Sequence, residues 1–338
     1  MRSTPRVTFI IPCFNHGRFV AEAARSALAQ RAADVRVIII NDGSSDGSTP
    51  AACDACALLS PAVQVIHQPN RGLPAARNAG AAISRTNNWA DYLVFLDADD
   101  YLEPSFVSRL HRAIESDNAP EVSHAYCQER LVDQASGVWR VPEWDPTLLL
   151  ITNLHPVTAL IRRDCFEAVG GFDESFRSGY EDWDLWLRFA ERSWRGVRVR
   201  EPLFNWRRHS PTTLVMEATK RHADLFAQIV DRHPALYGKD PRRLIELSNT
   251  LLRRADANWL DENGDAIFIR DLRARNCELF DELQASTAEN ARLHAALHAL
   301  EQRPALRAAR LAGRALDGVA RLASAPARAI ARWTRRAL

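Results

Sequence analysis

Over residues 1–100, apolar positions gather into four short continuous runs: Val7–Ile11, Val35–Ile40, Val63–His67 and Tyr92–Leu96. Between them, Ala21–Gln30 and Leu73–Ser84 carry helix-forming residues at helical spacing. Continuous runs alternating with helices predict strands buried on both faces, hence a parallel sheet in an open α/β domain. Each run ends in polar turn chemistry: Pro12–Asn15, then Asn41-Asp42-Gly43-Ser44-Ser45, then Pro69-Asn70-Arg71-Gly72, then Asp97-Ala98-Asp99-Asp100. Ligands of such sheets sit beyond the carboxyl ends of the strands. The Pro12–Asn15 loop, Asp42, Asn70–Arg77 and Asp97–Asp100 are therefore expected on one edge, where a nucleotide would fit.

From Glu121 to Arg208 the pattern turns mixed. It predicts strands at Glu121–Cys127, Pro156–Ile161, Val197–Arg200 and Leu203–Arg207, and a helix at Trp183–Ala190. Beyond Ser210 nearly everything is helix-forming. Leu272, Asn276, Leu279, Leu283, Ser286, Asn290, Leu293, Leu297 and Leu300 follow a 4,3 spacing. That spacing reads as a coiled coil joining two copies through 272–300, although three polar seam positions weaken it; a helix packed on its own domain explains it about as well.

Charge divides the chain further. The 338 residues carry +2, but residues 302–338 hold nine arginines against Asp317 alone, a charge of +8 that leaves −6 on the rest. At ~100° per residue, Arg307, Arg310, Arg314 and Arg321 share one side, while Leu311, Val319 and Leu322 lie on another. Ile330 and Trp333 then stand away from Arg328, Arg332 and Arg335. Arginines opposite Leu, Ile and Trp suit a helix lying on an anionic membrane surface through 303–338. A solvated arginine face over an intramolecular helix is the alternative. With Trp333 as the tail's single aromatic, nucleic acid is not expected as a partner.

At 46% hydrophobic and 25% charged residues the composition is that of a globular protein. No window approaches the ~18 apolar residues of a membrane span. The opening MRSTPRVTFIIPCFN reads as a strand, not a secretion signal, since no small-residue cleavage site follows. The six cysteines lack framework spacing and are expected to be reduced thiols of a cytosolic protein, with Cys53 and Cys56 as plain helix positions.

The chemistry centres on Asp97-Ala98-Asp99, which closes the fourth apolar run and precedes a Tyr-Leu-Glu-Pro helix start. Two carboxylates at a strand end can turn toward one hard cation, commonly alongside a diphosphate. At this point the chain resembles family 2 of the inverting glycosyltransferases, of GT-A fold. The segments that carry the resemblance are VTFIIPCFNHGRFV (7–20), IIINDGSSDGST (38–49), NRGLPAARNAG (70–80), YLVFLDADDYLEP (92–104) and GGFDESFRSGYEDWDLWLRFA (170–190). They cover about residues 6–210 and stop before the helical C-terminus.

The resemblance implies a GT-A (Rossmann-like) mixed sheet flanked by helices, followed by an all-helical extension. It divides the chain into a catalytic domain at 1–210, a helical extension at 211–301 and a basic amphipathic tail at 302–338. It places Pro12, Phe14, Asn15, Asp42, Arg77, Asp97, Ala98 and Asp99 at the nucleotide sugar, with Phe14 near the nucleobase and Asp42 accepting from a uracil ring. It makes Asp182 the catalytic base with Glu181 beside it, and gives Asp97, Asp99 and His209 to Mn2+ or Mg2+. Trp183, next to the base, is the candidate for stacking on an acceptor sugar.

The activity so implied is inverting transfer from a nucleotide sugar, UDP-linked in first place, to a hydroxyl of a glycan or lipid-linked glycan. Its setting would be the inner face of the cytoplasmic membrane. Two other readings stand beside it. A sugar nucleotidyltransferase would want a Gly-rich phosphate loop where the chain has PCFNHGRF, and a binding scaffold has no need of a base. Acids at 181 and 182 would also suit a helix N-terminus on electrostatic grounds alone. Asp42 and Asp46 would likewise suit a simple turn.

Overall fold

A computed structural model describes residues 4–117, 119–208, 218, 220–238, 246 and 292. The chain divides into two units, Met1–Leu247 and Ser248–Leu338. The elements described below lie in the first.

The four apolar runs are strands β1 (Arg6–Cys13), β2 (Asp34–Asp42), β3 (Val63–Gln68) and β4 (Tyr92–Phe95). They pair in parallel in the order β3-β2-β1-β4. The runs are continuous because both faces are covered. Val7, Phe9 and Ile11 pack with residues of α1 (Gly17–Leu28), α2 (Thr49–Cys56) and α4 (Phe106–Asp117) on one side. Ile10 faces the other way, where α3 (Leu73–Asn87) runs. A Cβ on Gly80 of α3 would stand 2.4 Å from Ile10 Cγ2, so this helix approaches the sheet as closely as a missing side chain allows. Pro12 is tolerated in this central strand because β4 has already ended at Phe95, opposite Ile10, so its missing N–H interrupts no ladder on that side.

Past β4 the sheet turns mixed, as the resemblance implied. β8 (Leu160–Arg162) runs antiparallel between β4 and β6 (Val122–Asp133), while β6 pairs in parallel with β9 (Arg195–Arg208). Short β5 (Tyr101–Leu102) caps the edge against β9, and β7 (Gly137–Trp139) folds back on β6. Helices α5 (Arg163–Ala168), α6 (Glu181–Glu191), α7 (His222–Arg232) and α8 (Pro234–Tyr237) complete the described elements.

Three local expectations change. Val197–Arg200 and Leu203–Arg207 are one strand, whose break at Pro202 is a register shift against Cys127–Glu129 rather than an end. Pro202 removes a donor and the strand bulges around it. The strand expected at Pro156–Ile161 begins only at Leu160. Before it, side chains take the backbone partners: His155 Nδ1 lies 2.9 Å from the Pro156 carbonyl, and Thr158 Oγ1 donates to the Phe95 carbonyl at 3.1 Å. Tyr101-Leu102 is a strand, not a helix start, because Asn205 and Phe204 of β9 stand opposite.

Cys13, Cys53, Cys56, Cys127 and Cys165 are all buried and unpaired, the second and third on α2. Among the described residues no helix is long and apolar enough to cross a membrane. His209, Cys277, the 272–300 repeat and the 302–338 tail lie outside the described residues, as does most of the extension expected at 211–301.

Candidate active site at the sheet edge

The loops after β1 to β4 are tied to one another in a ring by hydrogen bonds and one close polar approach. Asn15, held at φ +58°, accepts from the backbone N–H groups of Ser45 at 2.8 Å and Asp46 at 3.2 Å, joining the first loop to the second. Asp42 joins the second to the third, accepting from the N–H groups of Arg71 at 3.0 Å and Gly72 at 2.9 Å and from Gln68 Nε2 at 2.7 Å. Arg77, on α3, joins the third to the fourth through Asp97. His16 Nδ1 stands 3.8 Å from Asp99 Oδ1 and returns the ring to the first loop. Asn15 and Asp42 thus shape the edge before any ligand does. Asp46 is a turn residue that accepts from Thr49 N at 2.9 Å at the start of α2. Phe14 is left 45% exposed on this edge, an aromatic face open to a flat ring.

Arg77 is the hinge of the site. Only 2% exposed, it donates through Nη2 to Asp97 Oδ1 at 2.7 Å and through Nη1 to Glu181 Oε1 at 2.6 Å. A planar fork suits two carboxylates at fixed angles, which a lysine could not match. Asp97 remains 38% exposed despite this bond. Glu181 is buried, so its carboxylate is the partner of Arg77 and not a free group beside Asp182. The chain Asp97–Arg77–Glu181 links the end of β4 to the first turn of α6, where Asp182 follows.

Asp182 is half-buried, between Asn153 Nδ2 at 2.9 Å from Oδ2 and its neighbour's N–H, Trp183 N, at 2.8 Å from Oδ1. Burial and the charge of Glu181 push its carboxyl up to about 7, against the pull of Arg77 and the two hydrogen bonds. Glu129, buried on β6, is pushed up to about 8 by burial and by the charge of Asp182. A carboxyl poised near neutrality can take a proton from a weakly acidic hydroxyl more readily than an ordinary aspartate. Neither Asn153 nor Glu129 stood out in the sequence, since each reaches Asp182 only through tertiary folding.

The acidic turn is anchored from β9. Arg207 donates its backbone N–H to Asp100 Oδ1 at 2.7 Å and Nε to the Asp99 carbonyl at 2.7 Å. Its guanidinium also pairs with Asp133 at 3.0 Å and Glu22 at 2.6 Å. Asp100 is buried, and burial together with Asp99 and Asp97 raises its carboxyl well above the usual range. Ala98 is buried between the two exposed-side acids. Asp97 and Asp99 supply hard carboxylate oxygens, which fit Mn2+ or Mg2+ when phosphate and water complete the shell. Among the described residues no three His, Cys, Asp or Glu side chains converge as a metal cage.

Trp183 does not meet the expectation of an acceptor-stacking ring. It is 2% exposed, its Nε1 donates to the Leu149 carbonyl at 2.7 Å, and Tyr180 and Phe226 pack against it at 5.2 and 5.5 Å between centroids. Helical spacing places Trp183 and Trp186 on the same inward face of α6, and both belong to the core.

Comparison with known proteins bears on the family and the fold. A family model described as Glycosyl transferase family 2 matches residues 8–170, and one described as Glycosyltransferase like family 2 matches residues 145–209. The chain is 29% identical over 197 residues to the uncharacterized glycosyltransferase RP339 of Rickettsia prowazekii, 55% of this chain and 59% of that protein. It is 38% identical over 106 residues to the uncharacterized glycosyltransferase EpsJ of Bacillus subtilis, 31% of this chain and 29% of that one. The matched stretches thus span about three fifths or less of these relatives' lengths. In fold, the chain is similar to TarS 1-349 of S. aureus in complex with UDP-GlcNAc. The TM-score is 0.51 at 14% identity, covering 84% of this chain and 92% of that one.

Proposed function

The chain belongs to glycosyl transferase family 2, with the GT-A fold, and from that premise we propose that it transfers a sugar with inversion from a nucleoside diphosphate, UDP in first place, to a hydroxyl of a glycan or lipid-linked glycan. One observation carries the reading. A single buried arginine, Arg77, ties the acidic turn that would receive a diphosphate to the helix start that presents a carboxyl poised near pH 7.

The residues divide the work as follows. Phe14 offers its exposed ring to the nucleobase, and Asp42 holds the Asn70–Gly72 loop that would frame the base and ribose. Asp97 and Asp99, with His209 proposed from the resemblance, would hold Mn2+ or Mg2+, which supplies positive charge beside the diphosphate. Asp182 takes the proton of the acceptor hydroxyl as its oxygen bonds to the anomeric carbon. The bond from that carbon to the diphosphate oxygen breaks with its electron pair, and the nucleoside diphosphate departs. One displacement inverts the centre, so no protein nucleophile is required. Glu181 and Arg77 keep Asp182 in register with the donor rather than reacting themselves.

We further propose that residues 303–338, with their surplus of arginine, bring this domain to an anionic membrane surface where a lipid-linked acceptor would lie.

The test is a donor screen. Purified protein with Mn2+ or Mg2+ is offered a panel of nucleotide sugars and acceptor glycans, and nucleoside diphosphate release is measured. Release with one donor class, lost in Asp99→Ala, is expected. Binding of a nucleotide sugar without any release, across donors and acceptors, would favour the scaffold instead.

A further inference from the structure

Behind the proposed base, the same helix α6 carries a second buried charged cluster that the transfer step does not use. Asp184, fully buried, accepts from Arg188 Nε at 2.9 Å and lies 3.1 Å from His233 Nε2. His233 is itself buried, and its other ring nitrogen, Nδ1, lies 2.8 Å from Glu191 Oε1. This histidine joins α7 to α8 and falls outside both stretches that the family models match.

With both carboxylates ionised, the geometry calls for a doubly protonated ring. An ionised carboxylate can only accept, so a ring with a carboxylate at each nitrogen must donate from both, and an imidazole with two N–H groups is a cation. Charge balance agrees: Asp184 and Glu191 carry two negative charges, and Arg188 supplies one positive. A protonated His233 closes the cluster to neutrality, while the Glu191 carboxylate, 33% exposed, also meets solvent. Arg232, next in chain, pairs with Asp173 and leaves that balance unchanged. Burial favours the neutral ring, yet hydrogen bonding to Asp184 and Glu191 and their charges outweigh it and raise His233 above its ordinary value.

The cluster also holds what lies in front of it. Arg188 Nη1 donates to the carbonyls of Val169 at 2.8 Å and Gly171 at 2.6 Å, pinning a turn in which Gly170 and Gly171 sit at φ +82° and +78°. The next residue, Phe172, exchanges two hydrogen bonds with Asn78 of α3 at 2.8 and 2.9 Å. Asp184 N donates to the Tyr180 carbonyl at 3.0 Å, closing the helical turn that contains Asp182. Arg77 grips α6 from the front, and His233 grips it from behind.

We propose that His233 is a positioning residue for sugar transfer: as an imidazolium between Asp184 and Glu191 it fixes α6, and so sets where Asp182 stands. This rests on the base role given to Asp182 above.

The experiment measures melting temperature, kcat and donor KM from pH 6 to 10 for the full chain, His233→Gln and Glu191→Gln, with Asp182→Asn as reference. A histidine raised in the fold gives stability that is fully present below its ordinary pKa of about 6.5 and is lost as pH rises through the folded value. The wild type should therefore lose melting temperature and kcat together on the alkaline side, with KM little moved. His233→Gln should lose both alkaline steps and about 10-fold in kcat at neutral pH. Glu191→Gln, which alters only the partly exposed partner, should keep the steps but shift them to lower pH. If His233→Gln does not fold, that shift decides.

Melting curves in the variants that superimpose on the wild type would overturn the imidazolium. A lost melting step with an unchanged kcat profile would overturn the positioning role and leave a structural cluster. Equal rates for wild type and Asp182→Asn would remove the base, and the positioning role with it. The melting curves would still report the charge on His233.

Discussion

Asp182 owes its proposed chemistry to neighbours far away in sequence. Asn153 donates to it across 29 positions, and Glu181 turns its own charge onto Arg77. Three outcomes follow at this scale. As a base Asp182 must be ionised, so transfer should climb with pH through about 7. Asn153→Ala removes a donor that favours the ionised form, so the climb should move to higher pH with a lower rate at neutrality, read from a pH–rate profile. Arg77→Met strands Asp97 and Glu181 without their shared cation. It should cost about 3–5 kcal/mol of stability, measured by denaturant unfolding, since one buried partner is removed while the other stays. The acids at 97, 99 and 182 were readable because they belong to contiguous motifs. Asn153 and Glu129 were not, because their approach to Asp182 exists only once the irregular 151–159 segment and β6 are folded. Trp183 misled for a related reason: adjacency to the proposed base in sequence is not adjacency in space on a helix, where 183 faces the core.

At the scale of elements, the four parallel strands were plain from apolar runs, since strands covered on both faces need no polar alternation. The antiparallel half was harder. Pro202 looked like a strand end and is a bulge, and Pro156 to Ala159 looked like a strand although the His155 ring meets the Pro156 carbonyl and the Thr158 hydroxyl, not a backbone N–H, takes the Phe95 carbonyl. Composition reports burial but not which partner satisfies a carbonyl. The contact of α3 with β1 gives a direct check. Gly80→Ala should gain up to about 1 kcal/mol of helix propensity. Overpacking against Ile10 should cost about 1–3 kcal/mol, because the obstructing atoms belong to a β-branched core residue. We expect net destabilisation, and Gly80→Val should be worse; thermal melts of both would show it.

For the whole molecule, a near-neutral total conceals an acidic remainder of −6 and a basic stretch of +8 at 302–338. The acids of the proposed site belong to the first part. If the second holds the enzyme at a membrane, deleting 303–338 should abolish co-sedimentation with anionic liposomes while leaving transfer to a soluble acceptor intact. Unchanged co-sedimentation would end that proposal. The family and fold were readable from five motifs in order, and the structure adds the connection between them, Asp97 to Arg77 to Glu181, with Asp182 next along the helix. The account stands on Asp182 as the base of that assembly. The most direct test compares wild type and Asp182→Asn for sugar transfer and for nucleotide binding on the same preparations. Transfer should fall by about 100-fold or more with nucleotide affinity retained; transfer at the wild-type rate would contradict the account.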